Sequence, residues 1–113
     1  MSSRLDEERG TCYLALGKFE LAAEALSGAL EQTGSPRRRG SLLTDLASVG
    51  IHRQDPDEVL LHSHAALDLA EQSRSPGYVG RKLHTLRSQL EPMLADRRIG
   101  SLHERISCVL ATT

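Results

Sequence analysis

At 113 residues and a formal net charge of -1, the chain has room for one domain, residues 1–113, and shows no overall charge bias towards nucleic acid. Aromatics are limited to Phe19, Tyr13 and Tyr78, so a thin core must be built from Leu and Ala, both strong helix formers. No apolar run approaches the roughly eighteen residues of a membrane span, and the polar start MSSRLDEER is unlike a signal peptide, so the expected compartment is the cytoplasm.

β-branched residues are few and scattered, and no stretch alternates as a strand would. The expected fold class is therefore all-α. Charge is uneven along the chain: residues 1–34 carry three basic and six acidic groups, and residues 75–113 carry six basic and three acidic. Ends of opposite sign suit either head-to-tail contact between copies or ordinary scattered surface charge. Cys12 and Cys108 fall at apolar-periodic positions, far from each other and from any His at ligand spacing. They are expected as buried small hydrophobes rather than a disulfide.

The first apolar stripe is Leu5, Cys12, Tyr13 and Leu16, interrupted by Arg9, with Gly17 as a helix stop. A second stripe, Phe19, Ala22, Ala23, Leu26, Ala29 and Leu30, keeps one helix face apolar and ends at Gly34. Ser35 and Pro36 predict the N-cap and first residue of a third helix carrying Leu42, Leu43, Leu46, Ala47, Val49 and Gly50. Asp55-Pro56-Asp57-Glu58 reads as a capping box, with Glu58 reaching back to the cap amide. The fourth helix then shows Val59, Leu60, Ala66, Leu67 and Ala70. Ser75-Pro76 repeats the start signal, and a fifth helix runs through Val79, Leu83, Leu86 and Leu90 until Pro92. Met93 and Leu94 sit in or beside a turn. A last helix is predicted from about Ile99, with Leu102, Ile106, Val109 and Leu110 inward, after a boundary at Ala95-Asp96-Arg97-Arg98.

The chain also matches itself. A shift of 37 residues places Gln54 on Gly17, Val59 on Ala22, Ala66 on Ala29 and Leu67 on Leu30. Paired helices recurring at this period predict a helical solenoid of three units, about residues 5–34, 36–74 and 76–111.

The segment LALGKFELAAEALSGAL, Leu14 to Leu30, resembles a tetratricopeptide repeat, with Gly10, Tyr13, Gly17, Phe19, Ala22, Leu26 and Ala29 on that repeat's small-or-aromatic positions. Arg9 stands where the pattern has Leu, and Gly34 where it often has Pro. In the second unit Ala47, Val59, Ala66 and Leu67 fit, whereas Gly50 replaces an aromatic and Ser63 a bulky apolar residue. The third retains only helical periodicity. Through SPRRRGSLLTDLA, QDPDEVLLHSHAALDLAEQSRSP and LHTLRSQLEPMLADRRIGSLHERI, the chain also resembles the C-terminal repeat half of actinobacterial helix-turn-helix transcriptional regulators. The resemblance implies three stacked antiparallel helix hairpins in a right-handed solenoid. It further implies a module that senses a partner or effector, or dimerises, downstream of a DNA-binding domain absent from this chain.

The cluster HRQDPDEVLLHSH, His52 to His64, invites a metal or catalytic reading. His62 and His64 lie about 200° apart on a helix and cannot share one ion without distorting it. Glu58 and His62, at i and i+4, suit a weak surface pair. HEXXH is absent, and Asp55 and Glu58 already have a task in the cap. Asp6, Glu7, Glu8, Asp57 and Glu58 lack the apolar surroundings that tune a catalytic carboxylate, and nothing marks an oxyanion hole or a phosphate loop. A hydrolase using His52, Asp55 and His64 is the weakest alternative. The expectation is a non-enzyme without cofactor or metal.

Arg37, Arg38 and Arg39 fall in the first turn of a helix, where positive charge opposes the dipole. They read either as an anion site for a small metabolite or as arginines lying on their stems and pairing with acids such as Glu31 or Asp6. Without interleaved aromatics they are a poor nucleic-acid surface. The first helix of each hairpin would line a concave face, offering Arg4, Glu8, Thr11, Thr44, Ser48, Arg81, Thr85 and Ser88 to a peptide or ligand. Met93, Leu94, Ile99, Ile106 and Leu110 are candidates for a homodimer contact or for docking onto the absent domain.

Overall fold

Turn chemistry decides where the chain reverses. A computed structural model describes residues 3–73 and 77–111, with side chains described at all of these except 3, 4, 73 and 77–79. The start signal expected at Ser75-Pro76 lies outside the described residues, as do the side chains of Arg4, Tyr78 and Val79. The helices are α1 (Ser3–Ala15), α2 (Phe19–Gln32), α3 (Pro36–His52), α4 (Pro56–Ser73), α5 (Gly77–Gln89) and α6 (Arg97–Ala111), with a 3-10 turn at Glu91–Met93. Among the described residues there is no strand, and no helix is long and apolar enough to cross a membrane.

α1 ends in a left-handed residue, Gly17, at φ 75°. Its amide donates to the Leu14 carbonyl at 3.1 Å, and the Lys18 amide donates to Tyr13 at 2.8 Å, which satisfies two of the carbonyls a helix end leaves open. α3 ends the same way. Gln54 sits at φ 55° and donates to Ile51 at 3.0 Å, while Asp55 donates to Gly50 at 2.9 Å. Gly17 and Gln54 are the two residues that the 37-residue shift superposes, so the register read from sequence is also a register of backbone geometry.

Helix starts follow the capping signals. Ser35 Oγ accepts from the Arg38 amide at 3.4 Å ahead of Pro36, and Asp55 Oδ1 accepts from the Glu58 amide at 3.3 Å ahead of Pro56. The reciprocal half of the Asp55 capping box does not form. The Asp55 amide is already engaged by Gly50, and the Glu58 carboxylate lies 3.8 Å from Arg53 instead. At α6, Asp96 Oδ1 accepts from the Arg98 amide at 2.9 Å, which moves the helix start to Arg97, ahead of the expected Ile99.

α3 is enclosed on several sides, packing on α1, α2, α4 and α5. Its Leu42, Leu46 and Val49 join Ala22, Leu26 and Ala29 of α2 in one buried cluster, edged by Tyr13, Leu14 and Phe19. Its Ala47 joins a second cluster with Val59 and Leu67 of α4, Leu83 and Leu86 of α5, and Ile99, Leu102 and Ile106 of α6. The helices approach closely where side chains are small. A Cβ on Gly10 would lie 2.6 Å from Cγ of the buried Leu26, and one on Gly50 would lie 3.0 Å from Val59 Cγ2.

Two sequence expectations are corrected here. Cys12 and Cys108 are exposed, not buried. Each lies two residues, about 200° of helix, beyond an inward position: Cys12 beyond Gly10, and Cys108 beyond Ile106. Ile99 and Ile106, expected at an intermolecular contact, are fully buried because α6 leans on both α4 and α5. Met93 and Leu110 are half-buried against the same cluster, and only Leu94 of that set stays exposed.

Because a left-handed L-residue costs roughly 1–2 kcal/mol, Gln54→Gly is expected to stabilise the fold by about 0.5–1 kcal/mol once glycine's own entropy is set against the relief. Gly17→Ala should destabilise by about 1 kcal/mol. Urea denaturation of both variants checks the pair; equal effects at the two sites would contradict the shared geometry.

Candidate binding groove

One face of α3 repeats at helical spacing through Arg37, Ser41, Thr44, Asp45 and Ser48, and two clefts open along it. The larger, about 760 Å³, lies between α1 and the start of α3 and is bounded by Glu7, Glu8, Thr11, Cys12, Arg37 and Arg38, with Ser41 at its side. The smaller, about 370 Å³, lies between α3 and α5. Thr44, Asp45 and Ser48 form one wall of it; Arg81, Lys82, Thr85 and Gln89 form the other, and Leu14 of α1 reaches in.

Nine of these lining residues fall in three rows under the 37-residue register. Glu7, Thr44 and Arg81 are equivalent; so are Glu8, Asp45 and Lys82, and so are Thr11, Ser48 and Thr85. Each row takes one residue from α1, one from α3 and one from α5. The third unit, which kept only periodicity in sequence, thus supplies its share of the groove.

The floor between α3 and α5 is polar. Lys82 Nζ lies 2.8 and 2.9 Å from the two Asp45 oxygens, with 24% and 16% of the respective side chains exposed. Burial pushes the Asp45 carboxyl above its ordinary value; the Lys82 ammonium pulls it down less strongly, and Glu7 adds a small upward push. Beside this pair, Ser48 Oγ donates to Gln89 Oε1 at 2.8 Å. Thr44 is buried and its hydroxyl donates to the Ser41 carbonyl at 2.7 Å, so it lines the cleft with its group already engaged. Arg81 and Thr85 are exposed, and the Thr85 hydroxyl donates to the Arg81 carbonyl at 3.3 Å. Ser88 is exposed and stands outside both clefts.

The three arginines part company. Arg39 Nη1 donates to the Leu30 carbonyl at 3.0 Å and to the Thr33 carbonyl at 3.5 Å, closing the end of α2. Arg38 pairs with Glu7 across the larger cleft at 2.9 Å, where Glu31 or Asp6 had been the expected acids. Arg37 alone of the three is exposed, on the cleft rim. Ser41 Oγ, on the same cleft, is buried without a hydrogen-bond partner among the described residues.

The histidines of HRQDPDEVLLHSH go to separate places. His52 stacks on the Phe19 ring at 4.6 Å with planes 6° apart, joining α3 to the start of α2. His62 is half-buried, and desolvation lowers its pKa against the upward pull of Glu58. His64 Nδ1 lies 2.8 Å from Arg105 Nη1; since a guanidinium only donates, that nitrogen is the acceptor. Among the described residues no group of three or more His, Cys, Asp or Glu is placed to hold a metal ion.

Asp45, Lys82 and Gln89, together with Glu7, Cys12, Leu14 and Ser41, were missed as groove residues in sequence. The signal was present for the first two: they are the register equivalents of Glu8, already proposed for the concave face. Gln89 has no such equivalent. No protein-family model matches the chain, and no curated protein and no solved structure matches it.

Lys82→Met leaves the half-buried Asp45 carboxylate without its counter-ion, at an expected cost of about 2 kcal/mol near neutral pH. The carboxyl's raised pKa means the folded state holds that proton more tightly than the unfolded chain, so its stabilising effect is present at low pH and fades as pH rises through the raised value. Removing Lys82 lifts the pKa further, so the deficit should shrink on acidification. Denaturation at neutral and mildly acidic pH tests this, and a pH-independent deficit would contradict it.

Proposed function

We propose that the chain is a non-catalytic, tetratricopeptide-like interaction module, three stacked helix hairpins in a right-handed solenoid, whose groove takes an extended protein or peptide partner. The observation that carries this is the three-row groove: one position of the repeat, read on α1, α3 and α5, supplies a line of polar groups along a single face. Rows of charged and hydroxyl groups running across three helices suit an extended segment better than a compact ligand. The matched left-handed turns at Gly17 and Gln54 support the same repeat reading. The regulatory setting rests on the sequence resemblance to repeat halves of helix-turn-helix regulators, with the partner-sensing or dimerising role that resemblance implies; the proposed cytoplasmic location rests on the polar N-terminal sequence and the lack of a long apolar run.

The small-anion alternative at Arg37–Arg39 draws less support. Arg39 is engaged with the end of α2, and Arg38 with Glu7, while Glu7 and Glu8 face the same cleft. An anion there would meet carboxylates as well as guanidinium groups.

The groove reading is tested by selecting peptides from a displayed library against the 113-residue chain. Arg81→Glu and Thr85→Arg, both at exposed positions, should weaken selected peptides by about tenfold or more while changing stability by less than roughly 0.5 kcal/mol. Leu61→Ser on the outer side of α4 should leave affinity unchanged. Selected peptides that ignore the groove substitutions, or a library that yields none, would count against it. The regulatory setting is tested by the reading frame upstream of Met1, where an in-frame helix-turn-helix domain is expected.

A further inference from the structure

The two ends of the helix array differ in kind. At the far end α6 buries Ile99, Leu102 and Ile106 and turns Arg97, Ser101 and Glu104 to solvent, so that end is closed by a polar surface. The near end is open. In α3 the positions Leu42, Leu46 and Val49 are buried against the preceding helix pair, and their register equivalents Leu83 and Leu86 in α5 are buried likewise. The same positions in α1 are Leu5, Arg9 and Cys12, and all three are exposed. Leu16, 69% exposed, and Leu21 of α2, 43% exposed, extend the uncovered surface.

What covers this face is indicated by its charges. Arg9 occupies the position held by Leu46 and Leu83, in the middle of an otherwise apolar stripe. Between α1 and α2 a depression of about 250 Å³ brings Asp6, Arg9 and Tyr13 alongside Leu21, Glu24 and Ala25. Among the described residues neither Arg9 nor Glu24 has an ion-pair partner. A covering surface must therefore offer apolar groups, a carboxylate for Arg9 and a cation for Glu24. The face itself offers all three, and a two-fold axis presents them in reverse order. A copy cannot use its α6 end for this, because that end is polar.

The geometry points to a homodimer formed by two copies packing their α1–α2 faces together about a two-fold axis, with Arg9 of each set against Glu24 of the other. Apart from Cys12, which edges both, this surface is separate from the groove, so peptide binding and self-association are tested by different substitutions.

Sedimentation velocity of the full chain over a concentration series is the test. The mass should rise from 12.4 kDa to twice that value. Arg9→Glu sets like charges against one another and should raise the dimer Kd by about tenfold or more; Leu21→Glu should do the same. The double reversal Arg9→Glu with Glu24→Arg restores opposite charges and should bring Kd back to within about threefold of the original. Circular dichroism confirms that each variant keeps its helix content. A chain that stays monomeric overturns the proposal, as does a dimer indifferent to Arg9→Glu and Leu21→Glu, or a double reversal that remains folded and fails to restore association.

Discussion

α3 is asked to do two incompatible things, and the rest of the structure depends on how it does both. It is the wall shared by both buried clusters, so Leu42, Leu46, Ala47 and Val49 must be dry and closely packed. It also carries the charged face along which both clefts open, so Asp45 is held mostly out of water a single residue from Leu46. A helix buried on most sides is ordinarily apolar all round, and this one is not. Small residues resolve the first demand: Gly10 lets α1 close onto Leu26, and Gly50 lets α3 close onto Val59, so the flanking helices fit without displacing the core. Pairing resolves the second, since Lys82 and Gln89 arrive from α5 to meet Asp45 and Ser48.

That pairing has a directional consequence. Burying a carboxylate opposes its ionisation, and here the opposition outweighs the pull of the adjacent ammonium, so the Asp45–Lys82 contact is better understood as fixing how α3 and α5 sit together than as a source of stability. A sliding or rotation of α5 relative to α3 would strand both charges. The two walls of the cleft between α3 and α5 are thereby held at one spacing.

Much of the fold was legible because local chemistry is sharp where helices begin and end. Ser35-Pro36 caps as written, Asp55-Pro56 caps through Asp55 but without the return bond from Glu58, Gly17 takes the left-handed turn, and Ala22, Ala29 and Ala66 are fully buried. What escaped reading was set by tertiary context. Gln54 carries no turn signal, and only its register with Gly17 betrays its left-handed backbone. Cys12 and Cys108 looked periodic, but a single step of helix phase separates an inward position from an outward one. Ser63 was recognised as an odd replacement for a bulky residue; its hydroxyl is fully buried without a partner among the described residues, and we have no physical account of it. Asp45 and Lys82 went unremarked in sequence because nothing local announces that facing helices will partly bury them.

The opposite charges of the two ends of the chain find their explanation inside the molecule. The basic excess of the C-terminal third is drawn inward onto α4: Arg105 donates to Asp68 at 2.7 Å and to Glu71 at 3.1 Å, and Arg98 reaches Asp57 at 2.7 Å. Those two cations are answered within the chain, whereas Arg81 and Arg97 of the same segment stay exposed. The acidic excess of the N-terminal third is partly answered as well, by Arg38 on Glu7. Along the groove the repeat positions still run from acid on α1 to base on α5, one reading Glu8, Asp45, Lys82 and its neighbour Glu7, Thr44, Arg81, with Glu7 paired to Arg38 and Asp45 to Lys82. An extended partner of the kind proposed would therefore meet acid on α1 and base on α5.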